Sequence, residues 1–120
     1  MKIELLDKPL GRQKPKKTEA ISVIFYRDLL VKTWILENAK GKCEACDLDA
    51  PFLLADGSPF LEVHHMIPLA AGGADIVENS LALCPNCHRK VHLSKNKNSF
   101  INEIYRKVPR LNRALLPQPQ

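Results

Sequence analysis

A small α+β fold, with helices flanking a strand-rich centre, is what this sequence predicts. Three observations carry that reading. The four cysteines fall into two C-x₂-C pairs, Cys43–Cys46 and Cys84–Cys87, a spacing that suits one tetrahedral structural zinc. Between the pairs, "PFLEVHHMI" alternates with period two and is rich in β-branched and apolar residues, as a strand requires. On either flank, apolar residues recur at helical spacing.

The elements can be justified in chain order. Residues 1 to 20 form a basic lead-in, in which Pro9, Gly11 and Pro15 interrupt regular structure. From Ile21 to Lys40, Ile24, Leu29, Val31, Ile35 and Leu36 mark a helix, with Trp34 beside them and Gly41 as its C′ residue. The first cysteine pair then makes a knuckle, followed by a short strand and a turn at Asp56-Gly57-Ser58-Pro59. In the next strand Leu61, Val63 and His65 face one side, and Glu62, His64 and Met66 the other. "PLAAGGADIVENS" reads as a loop in which Gly72 and Gly73 permit a tight path, and Asp75 as a residue that caps or braces it without a chemical role. "LALC" is a brief strand that runs into the second knuckle. Residues 86 to 93 form a short helix opened by Pro85. Phe100, Ile101, Ile104 and Val108 share the face of another helix over residues 99 to 108. The organisation expected is a domain over residues 21–108 with a frayed tail over 109–120.

Length and composition bound the function. A chain of 120 residues supports one small domain. It has no apolar run of about 18 residues, so no membrane-spanning helix is expected. "MKIELLDKPLGRQ" lacks the apolar stretch of a secretory signal, which makes the cytoplasm the expected location. A reducing compartment disfavours disulfides and leaves the cysteines for metal. Eighteen Lys and Arg stand against 13 Asp and Glu, an excess that favours an acidic partner such as nucleic acid.

The ligand count exceeds what one zinc needs. Cys43, Cys46, Cys84 and Cys87 fill a tetrahedral site and leave all four histidines, His64, His65, His88 and His92. The rival set Cys84, Cys87, His88 and His92 strands the first pair and asks helix neighbours 87 and 88 to reach one ion, although consecutive side chains on a helix diverge by about 100°. His88 and His92 sit four residues apart, on one helix face, and can hold a second metal together. The adjacent His64 and His65 point oppositely on a strand, so one can join that metal while the other serves as a base. Packing or solvent-facing roles are the plain alternative for each of these histidines. Glu62 shares the side of His64, where it either supports a ligand or lies on the surface.

"LEVHHMIPL", Asn79 in "DIVENSLAL" and "CPNCHRKVH" together resemble the HNH, or ββα-metal, endonuclease motif, and the C-x₂-C pairs resemble its zinc-stabilised subgroup. The likeness extends over about residues 28 to 107 and is similar to the C-terminal nuclease domain of McrA-type restriction endonucleases, which attack modified DNA. The resemblance implies a ββα-metal fold around a Cys₄ zinc, flanked by an N-terminal and a C-terminal helix. It implies His64 and His88 as ligands of a catalytic divalent metal, with His92 ligating it or contacting phosphate. His65 would be the general base, and Asn79 would hold the loop and help orient that base through a backbone carbonyl. Mg²⁺, Mn²⁺, Co²⁺ and Ni²⁺ all remain open as the working ion. The implied reaction is hydrolysis of DNA phosphodiesters to 5′-phosphate and 3′-hydroxyl ends, in restriction or defence.

One departure stands out. About 40 residues precede Cys43, too few for the separate domain with which McrA-type enzymes read a modified base. The expected partners are therefore DNA together with a homodimer or a separate DNA-reading domain or subunit. Methyl specificity and the completeness of the chain are left open. The alternative to an enzyme is a zinc-stabilised nucleic-acid-binding module. A base beside a metal, which a binder does not need, favours the enzyme.

Overall fold

The computed structural model describes residues 29–114. The basic lead-in, the first residues of the expected N-terminal helix and the end of the tail lie outside the described residues. The elements are α1 (Leu29–Ala39), β1 (Glu62–His65), β2 (Ser80–Leu83), α2 (Pro85–Leu93) and α3 (Lys97–Lys107), with short 3-10 turns at Leu69–Ala71 and Val77–Asn79.

Ala39 ends α1, and the chain turns through Lys40 and Gly41, both at positive φ (52° and 79°). That turn carries it into the first knuckle, where Cys43 N–H donates to Leu48 O and Asp47 N–H to Cys43 O, both at 2.9 Å. A minimal ladder then forms around the Asp56–Gly57 turn. It is a single bridge, Leu53 to Pro59, rather than the strand expected before the turn. The histidine strand is likewise shorter than the period-two run that announced it, because only residues 62 to 65 find a partner.

β1 and β2 pair antiparallel, with His64 opposite Leu81 and His65 opposite Ser80. Every residue of β2 is buried. The strand is enclosed because α1 packs on the sheet and α2 follows from its end. Ile35 of α1, Leu81 and Leu83 of β2, Val91 of α2, and Phe100 and Ile104 of α3 make the core, and Val108 and Leu111 close it. α1 contributes less than its pattern implied: Ile35 is its buried residue, while Leu29 and Leu30 are exposed and Trp34 is half exposed.

A polar tie locks these parts together. Arg110 donates to both carboxylate oxygens of Glu44 (3.0 and 2.9 Å), to Ser80 O (3.0 Å) and to Val77 O (3.1 Å), and its guanidinium lies over the Trp34 ring. Glu44 in turn accepts the Ala82 N–H at 2.8 Å. The first knuckle, the start of β2, α1 and the chain after α3 thus meet on one ion pair.

Candidate metal centre and adjacent histidine

The two knuckles converge because β2 delivers the second against the first. Glu44 N–H donates to Ala82 O at 2.9 Å, and Cys84 directly follows β2 as the N-cap of α2. Four sulfurs then lie within 4.8 Å of one another, with Cys46 Sγ 4.0 Å from Cys84 Sγ. A tetrahedron with Zn–S bonds near 2.3 Å has S···S edges of about 3.8 Å. A disulfide would need a separation of about 2.05 Å.

The thiols respond to this crowding. Burial alone would raise Cys43, but backbone N–H groups and the Cys46 thiol outweigh it and lower the group. Burial, followed by the charge on Cys43, pushes Cys46 and Cys87 up. One thiolate therefore resists others beside it, the situation a dication relieves. The donor set, spacing and charge fit structural zinc. His88 and His92 are not part of this cluster, and the rival Cys₂His₂ partition is not formed.

A second group forms on the other side of α2. His64 from β1 meets His88 and His92 from α2, with ligand atoms within 4.8 Å of one another and ring centroids 4.9 to 5.2 Å apart. Four-residue spacing puts the helix pair on one face, and strand parity turns His64 toward it. Burial, then the neighbouring charges of His88, His92 and His65, hold His64 down at about 3, so its ring is neutral at physiological pH. Burial, then electrostatic repulsion from His88, Lys97 and Arg89, also lowers His92. Neutral imidazoles with free lone pairs fit a divalent metal. Glu62, on the His64 side of β1, reaches His88 Nδ1 at 3.1 Å and leaves Nε2 to face an ion.

His65 projects from the opposite face of β1, yet both histidines reach the wall of one cavity of about 280 Å³. Pro68, Leu69, Ala70, His88 and His92 line the rest of that cavity. The ring of His65 is hydrogen-bonded through Nε2 to Asp75 Oδ1 at 2.8 Å. This differs from the expectation that a carbonyl braced by Asn79 would orient the ring. Asn79 is nearly fully buried and clamps the loop. Its Oδ1 accepts from Ile67 N–H (2.9 Å), and its Nδ2 donates to Ile67 O (3.0 Å) and Ala74 O (2.8 Å). Asp75, expected to cap or brace the loop, reaches this ring as well, a contact that the sequence did not announce. The signal available was an acidic residue beside a glycine pair, but an irregular loop gives no parity from which to aim a side chain.

Comparison with known proteins places this geometry. Residues 43–94 match the family model described as HNH endonuclease. Over 108 residues the chain is 50% identical to the type IV methyl-directed restriction enzyme EcoKMcrA of Escherichia coli (strain K12), covering 90% of this chain and 39% of that protein. It thus spans about two fifths of that relative's length. A 34-residue stretch is 44% identical to anaredoxin of Nostoc sp. (strain PCC 7120 / SAG 25.82 / UTEX 2576), 28% of this chain and 45% of that one. Among solved structures, the type IV phosphorothioation-dependent restriction endonuclease ScoMcrA aligns with a TM-score of 0.62 and 32% identity, over 70% of this chain and 19% of that chain. With its paired cysteines, its histidine-bearing hairpin and the helix that completes both clusters, the chain carries over residues 43–94 the pattern of the HNH endonuclease family.

Proposed function

We propose that this protein is a metal-dependent DNA endonuclease acting in restriction or defence in the cytoplasm, and that it leaves 5′-phosphate and 3′-hydroxyl ends. One observation carries the reading: three histidines converge where they could hold an ion while a fourth histidine lines the same cavity. A divalent ion bound there supplies Lewis-acid stabilisation of the charge that builds on the phosphate and leaving oxygens.

The protein's own groups do the rest. His64, His88 and His92 hold the ion, and Glu62 fixes the His88 ring from behind. His65 takes the proton of the attacking water. Asn79 holds the segment from Ile67 to Ala74 against the end of β1, which keeps the cavity wall in place. Four thiolates around a structural zinc keep α2 in register with β2, and α2 carries two of the three ligands. Among the described residues no helix is long and apolar enough to cross a membrane. Two of the proteins named above are a methyl-directed and a phosphorothioation-dependent restriction enzyme. Modified DNA is accordingly the first substrate to try, with a partner domain, subunit or second copy to read it.

Plasmid nicking in Mg²⁺, Mn²⁺, Co²⁺ or Ni²⁺ tests the proposal on methylated and unmethylated DNA. Wild type is expected to nick with at least one ion, and His65→Ala to lower the rate roughly 10²- to 10⁴-fold. If both proteins are equally inert with every ion and both DNAs while still binding DNA, the binding-module reading replaces the nuclease.

A further inference from the structure

We infer that Asp75 is the positioning residue for His65: its carboxylate holds the ring by Nε2 and leaves Nδ1 as the nitrogen that accepts the proton from water. The inference deepens the nuclease reading and rests on it for the role of His65.

The geometry is specific. Asp75 Oδ1 lies 2.8 Å from His65 Nε2, and both side chains are largely withdrawn from solvent, 18% and 7% exposed. A carboxylate of this kind only accepts hydrogen bonds, so the nitrogen it meets must carry the proton. The other nitrogen then has its lone pair available.

The loop is built to deliver this contact. Asn79 Nδ2 holds Ala74 O, the residue directly before Asp75, and Asn79 Oδ1 holds Ile67 N–H at the other end. Between them, Gly73 N–H donates to Pro68 O at 2.9 Å. A Cβ on Gly73 would lie 1.9 Å from Ile67 O, so the two passes of the loop touch backbone to backbone. Gly72, at φ 89°, makes the turn that brings them together. Asp75 is not among the groups that could hold an ion, either with the cysteines or with His64, His88 and His92. Its side chain and the ring of His65 also share a second cavity, which Lys32, Glu62, Val63 and His88 help to line.

Histidine side-chain ¹H–¹⁵N spectra together with nicking kinetics test this. In wild type at neutral pH, His65 should show a protonated Nε2, its N–H proton shifted downfield and slow to exchange, and a bare Nδ1. Asp75→Ala should lose that proton signal and lower kcat roughly 10²- to 10⁴-fold with KM unchanged, and Asp75→Asn should fall between the two. A wild-type spectrum with the proton on Nδ1 overturns the inference even if no variant folds. So does an Asp75→Ala protein that keeps the slow Nε2 proton, whatever its rate, since Asp75 then acts only on loop packing. Complete inactivity of wild type would remove the nuclease reading, while the spectra would still decide what Asp75 holds.

Discussion

At the residue scale, the adjacent histidines are divided between two settings because a strand sends neighbours to opposite faces. That division was legible in the sequence, as was the side of Glu62, since strand parity fixes both. The contact of Asp75 with His65 was not, because Asp75 lies ten positions further along the chain and no periodicity spans the loop between them. The low value of His64 has a consequence for stability. Folded, it sits near 3 against an ordinary 6.5. Between those values the unfolded chain binds a proton that the folded chain refuses, so the stability from this residue is full above 6.5 and is lost as pH falls toward 3. Thermal melting without added divalent metal, followed from about pH 7.5 to 5, should therefore fall less steeply for His64→Asn than for wild type. Parallel curves would show that the ring is not kept neutral by its surroundings.

At the element scale, α2 and β2 were legible almost to the residue. Pro85 opens the helix, Cys84 caps it, and the run "LALC" is short, apolar and flanked by a knuckle. The strand before the Asp56–Gly57 turn was not, because it forms one bridge and has no further partner to extend it. The loop between β1 and β2 was expected to need a tight backbone path, and Gly73 shows why: its missing side chain is the space that Ile67 O occupies. Gly73→Ala must push that backbone apart, at a cost of about 1–3 kcal/mol. The shift also moves Asp75, so the variant should lose activity at temperatures well below its own melting point. A Gly73→Ala protein with wild-type melting and wild-type nicking would show that the loop tolerates a wider path.

At the scale of the whole molecule, a small core is reinforced at two places: the four-thiol cluster, and the Glu44–Arg110 pair that gathers the knuckle, β2, α1 and the chain after α3. The cysteine cluster was legible from spacing alone. The ion pair was not, since 66 residues separate its members. The frame leaves one side of α2 facing the thiols and another facing the cavity, so one short helix contributes to both the thiol and the histidine cluster. The most direct test of that account is calorimetric titration of Mn²⁺ into His64→Ala and His65→Ala, with the zinc retained and nicking measured in parallel. The account predicts that His64→Ala loses the second metal and the activity together, whereas His65→Ala binds the metal like wild type and does not cut. A His65→Ala protein that loses the metal as His64→Ala does, or that nicks at the wild-type rate, would contradict it.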